Sequence, residues 1–393
     1  MALALATSGC SVEAVCPARN PLEKTSVVRQ THRYHGLMPL MSIKNAIAIA
    51  KPDFIVPGDD LATRHLHDLH HRELNHGEDG ALICRLIERS LGAPEYFPVV
   101  YARATFMQLA REEGIRVPDT QVIANPRDLR NWIARMSLPM ALKTNGSSGG
   151  DGVRVVHTLE EADRAFRVLK APPLLARAGK RALVDQDKTL VWPSLLRRRA
   201  VVNAQVFVAG RETTSAIVCW KGAVLAALHF EILNKQSSTG PSTVVRLIEN
   251  AEMSTAAERM ARRLHLSGLY GFDFMLEAGT QNAHLIELNP RVTQVGHLTL
   301  GPGRDLPAAL YAALSGETIR EAPKVTENDT IALFPQEWTR NPASAFLCSS
   351  YHDVPWGEPE LVRACVRKRR KPNARRSQQD VIQVLSGVRL PRL

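Results

Sequence analysis

The chain has 393 residues, of which 45% are hydrophobic and 23% charged, and its formal net charge is +11. At ~150 residues per domain this length predicts two or three domains with a large buried core. The ordinary composition excludes a mostly disordered, collagen-like or coiled-coil chain.

No stretch approaches ~20 consecutive apolar residues, so neither a membrane span nor a membrane partner is expected. The apolar opening MALALATSGCSVE has no basic n-region, and no signal peptide is expected. Cys10, Cys16, Cys84, Cys219, Cys348 and Cys365 form no CxxC pair. That spacing argues against a zinc or thioredoxin-type site and predicts reduced thiols in a cytoplasmic protein. Eight Lys or Arg and no acid fall within residues 363–376, which leaves a net charge of only +3 over the rest of the chain. This run lacks interleaved aromatics and reads as a basic C-terminal tail, so nucleic acid is not expected as a partner.

Residues 1–9 predict a helix and residues 11–16 an alternating strand, with Pro17, Asn20 and Pro21 marking a turn. A helix over Met41–Ala50 carries Met41, Ile43, Ala46, Ile47 and Ala50 on one face and stops at Pro52. Phe54-Ile55-Val56 predicts a short buried strand, Gly58-Asp59-Asp60 the loop after it, and helix resumes over 61–74. This alternation predicts a parallel α/β unit. Such a unit ordinarily opens with a strand, so the reading is of a unit without its first one.

A second unit begins near Pro98. Helix is predicted over 103–113 with Gly114 as its stop, strand over 120–124, helix over 126–136, and strand over 139–143. After a glycine-rich loop come a strand at 153–156 and a helix at 159–169. Residues 200–228 alternate as strands with a hairpin at Lys221-Gly222. Helix follows over 254–265, then strands at 269–276 and 283–288 joined by a turn over 277–282. The pattern is α+β, with antiparallel sheet dominating after residue 150, and regular order weakens beyond Glu317.

Two constellations carry chemistry. In Lys143-Thr-Asn-Gly-Ser-Ser-Gly-Gly-Asp-Gly-Val153 a strand delivers a lysine into a loop holding Gly146, Ser147, Ser148, Gly149, Gly150 and Gly152. Glycines let backbone N–H groups approach phosphate oxygens, and the lysine adds a point charge. The loop lacks GK[ST] and GxGxxG, so it is neither a P-loop nor a Rossmann fingerprint. In the second constellation, Gly271-Phe-Asp-Phe274 precedes Ile286-Glu-Leu-Asn-Pro-Arg291. Strand period 2 puts Glu287 and Asn289 on one face, and a turn centred at residue 280 sets Asp273 opposite Glu287. Two carboxylates and an amide oxygen on one face suit Mg²⁺. Arg291 is a candidate clamp for a phosphate or a substrate carboxylate.

Together the two constellations resemble the ATP-grasp superfamily over residues ~41 to ~317, and the NPR form of the second resembles its carbamoyl-phosphate-synthetase and biotin-carboxylase branch. The resemblance implies an α+β ATP-grasp fold in which two lobes clamp ATP. It implies metal ligands at Asp273, Glu287 and Asn289, and nucleotide contacts at Lys143 and the loop Gly146–Gly152. The family's first lysine is replaced by Arg103. The strand Ala204–Gly210 resembles the family's ribose-binding strand, but Val206 stands where an acid is usual, which leaves Gln205 as the substitute. Pro52–Asp60 resembles the preceding α/β domain of that family.

The organisation so implied is a small α/β domain over 1–97, an ATP-grasp domain over 98–317 and an extension over 318–393. Within the middle domain, one lobe spans about 98–140 and a small lobe about 140–210, and the remainder binds metal. The implied function is an ATP- and Mg²⁺-dependent ligase (Mn²⁺ as an alternative ion). It activates a carboxylate as an acyl phosphate for attack by an amine, with Arg291 and Lys143 in catalytic roles. The implied partners are small-molecule carboxylates and amines, with a homodimer among the expected assemblies. Two alternatives stand beside this reading: phosphorylation of bicarbonate or carbamate, and nucleotide binding without turnover. His65, His67, His70, His71 and His76 cluster near one helix, where a solvated face is a better reading than a His67/His71 metal pair. His297 and the loop from Lys235 to Ser242 are further candidates for the substrate side.

Overall fold

The structure is a computed structural model that describes residues 1–146, 152–172, 199–319 and 322–367. Its first unit opens with α1 (Ala2–Thr7), β1 (Val12–Cys16) and β2 (Val28–Arg33). The two strands pair in parallel, as the α/β pattern predicts. β2 was not legible because its sequence, VRQTHR, lacks apolar alternation and buries only His32. The helices α2 (Pro39–Ala50), α3 (Asp60–Glu73) and α4 (Gly77–Leu91) pack Ile43, Leu66, Leu69, Ile83, Ile87 and Leu91 into one cluster.

Two expectations fail here. Phe54–Val56 is not a strand. It pairs with no strand among the described residues, and the Ile55 N–H instead donates to the Ser90 hydroxyl at 2.9 Å. The histidines do not form a solvated face either, although His71 and His76 are exposed. His67 stacks on Phe97 with ring centroids 3.8 Å apart. The buried His70 meets Glu88 at 2.7 Å, and His65 meets the Tyr34 hydroxyl at 3.3 Å.

A four-stranded sheet follows, built from β3 (Thr120–Ile123), β4 (Met140–Thr144), β5 (Val153–Val156) and β6 (Val202–Val206) in the order β3-β6-β4-β5. The helices α6 (Pro126–Met136) and α7 (Leu159–Lys170) cover one face. Asn125 and Thr158 cap them by accepting from backbone N–H groups of their first turns. Period 2 sends Met140, Leu142, Val202 and Ala204 into that covered core. It leaves the cross-strand pairs Lys143–Asn203 and Ala141–Gln205 on the opposite face.

The large sheet has seven strands in the order β11-β10-β7-β8-β9-β12-β13. They are β7 (Gly210–Trp220), β8 (Ala223–Lys235), β9 (Ser242–Ile248), β10 (Gly268–Glu277), β11 (Ala283–Asn289), β12 (Thr330–Leu333) and β13 (Tyr351–Asp353). Positive φ at both Lys221 and Gly222 makes the tight β7–β8 turn that the sequence predicts. Helices α5 (Arg103–Glu112) and α8 (Ala251–Arg263) pack Phe106, Met107, Met253 and Met260 on one face, against Ile217, Phe272 and Phe274. Helix α9 (Leu306–Ser315) packs on the other, against Val218, Leu228 and Phe230. Burial on both faces explains why β7 reads as the continuous apolar run Ala-Ile-Val-Cys-Trp rather than as alternation.

The expected loss of order beyond Glu317 is corrected. β12 and β13 extend the large sheet, with α10 (Gln336–Arg340), α11 (Phe346–Ser349) and α12 (Pro359–Arg367) around them. Most of these elements are too short for a periodic run to announce them. The basic tail beyond Arg367 lies outside the described residues.

Candidate active site

The β10–β11 hairpin pairs Asp273 directly with Glu287, as its turn position predicts. Asn289 closes the set by donating its amide N–H to Asp273 Oδ2 at 2.9 Å, and the Thr214 hydroxyl donates to Asp273 Oδ1 at 2.8 Å. Burial pushes the Asp273 carboxyl above its ordinary value, and Glu287 adds to this against the hydrogen bonds from Thr214 and Asn289. Burial also opposes the charge on Glu287. There Arg103, Lys143 and Arg291 outweigh it and hold the carboxyl below the usual glutamate range.

Three cations surround this pair. Arg103 opens α5, and its Nη2 donates to Glu287 Oε1 at 2.7 Å while its Nε donates to the Thr144 carbonyl at 3.1 Å. Its side chain is only 9% exposed. Lys143 is buried beside Asn203 on the face of the small sheet opposite α6 and α7. Burial pushes its ammonium down to about 8, against the pull of Glu287 and with the help of Arg103. Arg291 follows the metal-type strand and meets Asp60 at 3.2 Å.

The cleft beside these groups is lined by Asp60, Tyr101, Arg103, Gly146, Glu287 and Pro290, among others. Among the described residues no three His, Cys, Asp or Glu side chains gather as a metal set. The candidate set is two carboxylates and an amide oxygen, all hard donors suited to Mg²⁺. The direct opposition of two half-buried carboxylates, one of them pushed up by the other, is a site that a divalent cation would relieve.

The family described as carbamoyl-phosphate synthase L chain, ATP binding domain, has a model that matches residues 102–300, just over half of the chain. The chain belongs to this family. A curated relative, the phosphoribosylamine–glycine ligase of Ralstonia nicotianae, is 29% identical over 147 residues. That match covers 36% of this chain and 29% of the relative's length. Among solved structures, the N5-carboxyaminoimidazole ribonucleotide synthetase of Thermus thermophilus aligns with a TM-score of 0.57 at 16% identity, over 82% of this chain and 77% of that one. The biotin carboxylase domain of 2-oxoglutarate carboxylase from Hydrogenobacter thermophilus, solved with MgADP, ADP and bicarbonate, aligns at 0.56 and 14% identity, over 81% and 67%. The fold is the α+β ATP-grasp fold.

Within this ATP-grasp domain, Arg103, Gly146 and Glu287 line the cleft, and Lys143, Asp273, Asn289 and Arg291 are tied to Glu287 or Asp273 by charge or hydrogen bonds. Gln205 lies on the same face of the small sheet as Lys143, and its amide N–H donates to the Thr120 hydroxyl at 3.0 Å. Gly152 lies in the turn before β5, while Ser147, Ser148, Gly149 and Gly150 lie outside the described residues. His297 is turned to Asp353 at 2.8 Å. Lys235, at the start of the 235–242 loop, holds Glu212 through both carboxylate oxygens. Sequence reasoning missed Thr214, Thr63, Arg64 and Tyr101, and it gave Asp60 no role. Thr214 carried no sequence signal, because only pairing of β7 with β10 brings it to Asp273.

Proposed function

We propose that the chain is an ATP- and Mg²⁺-dependent ligase that activates a carboxylate as an acyl phosphate for attack by an amine, with release of ADP and phosphate. The observation that carries this reading is the Asp273–Glu287–Asn289 set with Arg103 bonded to Glu287 and Lys143 within electrostatic reach of both carboxylates. Asp273, Glu287 and Asn289 would hold the metal, which when bound neutralises phosphate charge. Lys143 and Arg103, beside that set, would bind the phosphates, and Arg291 would orient the group that receives the phosphoryl. A relative named as a phosphoribosylamine–glycine ligase supports the carboxylate–amine class. Six free cysteines support a reducing, cytoplasmic setting, and a neighbour described as a domain dimer supports a homodimer.

The test is ADP release over a panel of carboxylate and amine pairs, scored by the mass of the ligated product. Glu287→Gln is expected to lower the rate by a factor of ~10² or more. Equal release by both proteins overturns the site. The NPR motif and the family's description favour one second reading, phosphorylation of bicarbonate or carbamate. ADP formed with bicarbonate alone, in the absence of any added amine, would replace the first reading with that one.

A further inference from the structure

The first turn of α3 forms a wall of the cleft that the ATP-grasp domain itself does not supply. The Thr63 hydroxyl, fully buried, donates to the Pro290 carbonyl at 2.5 Å, and the Val292 N–H donates to the Pro57 carbonyl at 3.3 Å. These two bonds fasten the wall to the end of the Glu287–Asn289 strand. From the same helix face Asp60 reaches Arg291. One turn on, the Arg64 guanidinium lies over the Tyr101 ring, 4.9 Å from its centroid. Its Nη2 comes so close to Gly146 that a Cβ there would run into it. Arg64 pairs with no carboxylate among the described residues, although Asp60 lies one turn away on its own helix. The Tyr101 hydroxyl, which belongs to a residue lining the cleft, is buried with no hydrogen-bond partner.

We infer that Arg64 and Tyr101 form an anion subsite that reads an acid group of the substrate, a carboxylate or phosphate ester separate from the reacting groups. The inference rests on the ligase reading for its orientation. With the nucleotide's terminal phosphate at Lys143 and Arg103, the receiving substrate would meet the α3 wall, where Asp60 bonds Arg291 and Arg64 lies over Tyr101 beside Gly146. A guanidinium held by an aromatic face presents a planar fork to an oxyanion, and the orphan hydroxyl supplies a further donor. The glycine at 146 leaves that fork room at the cleft.

The test is phenylglyoxal labelling of the full chain in the presence of MgADP, with Arg64, Arg103 and Arg291 read separately by peptide mass. Inorganic phosphate and malonate, at matched ionic strength against sodium chloride, are expected to slow Arg64 labelling at least fivefold. Protection by phosphate alone assigns a phosphate ester, and protection by malonate alone assigns a carboxylate. Tyr101→Phe is expected to weaken the protection. Unchanged Arg64 labelling with both anions overturns the subsite. In the substrate panel, Arg64→Ala should raise KM for the acid-bearing substrate tenfold or more, with KM for ATP unchanged and partial recovery in Arg64→Lys. Protection of Arg64 in a protein that forms no ADP with any substrate leaves the subsite standing and removes the ligase reading. ADP formation with Arg64 unprotected does the reverse.

Discussion

The guanidinium of Arg103 lies 2.7 Å from the carboxylate of Glu287, joining the first residue of α5 to a strand 184 positions later in the chain. The pair shields two opposite charges from water, with 9% and 22% of their side chains exposed. Burying such a pair gains little over an apolar pair, but removing one partner strands the other. Arg103→Met is therefore expected to destabilise the protein by ~1–3 kcal/mol. The double variant Arg103→Met/Glu287→Leu should recover part of that loss, as read by urea denaturation in a double-mutant cycle. The same contact occupies an oxygen of a candidate metal ligand. Mn²⁺ binding without nucleotide, followed by electron paramagnetic resonance, should be tighter in Arg103→Met than in wild type. Equal affinities would show that the guanidinium does not compete for Glu287.

Lys143 titrates where it can be watched. Its ammonium is pushed down to about 8 by burial, so the free protein loses this charge above that pH. If the charge meets a nucleotide phosphate, the Kd for MgADP stays flat below pH 8. It then rises by up to ~10-fold per pH unit above it. Isothermal titration between pH 7 and 9.5 reads the break, and Lys143→Arg should remove it because a guanidinium stays charged throughout. A wild-type Kd that stays flat to pH 9.5 excludes the contact.

The hairpin was the most legible part of the site. Strand period and a turn centred at residue 280 sufficed to pair Asp273 with Glu287, because both depend only on local sequence. Arg103 was legible as a cation opening a helix, but its engagement with Glu287 was not, since it depends on how α5 docks against a distant strand. The same limit hid Thr214, which reaches Asp273 through the β7–β10 pairing. β12 and β13 were missed because four- and three-residue strands carry too few positions to show a period. Phe54–Val56 failed in the opposite direction, with an apolar triplet that suits a strand but pairs with none among the described residues.

Thr63 fastens the first unit to the strand that carries the site. Its hydroxyl is fully buried and bonds the Pro290 carbonyl, immediately after the Glu287–Asn289 strand. Thr63→Val keeps the shape but leaves that carbonyl without this donor, which should cost ~1–2 kcal/mol in urea denaturation. Since Asp60 and Arg64 flank Thr63 on the same turn, KM for the acceptor substrate should rise while KM for ATP holds. A rise in both would show that Thr63 supports the whole cleft rather than this wall alone.

His67 gives the fold an acid limit. It stacks on Phe97 and meets Tyr101 edge-on at 5.5 Å, and its Nδ1 is buried with no partner. Burial, with His70 and Arg64 adding, pushes its pKa down to about 3, against ~6.5 in an unfolded chain. The unfolded state therefore binds the proton first. The stability held by neutral His67 is fully present above pH 6.5 and is lost as pH falls from there toward 3, at up to ~1.4 kcal/mol per pH unit. His67→Phe keeps the stack on Phe97 and has no proton to gain. Its Tm should fall less than that of wild type between pH 6.5 and 4.5, as read by differential scanning calorimetry. Parallel Tm curves for the two proteins over that range would show that His67 takes up its proton without leaving the stack.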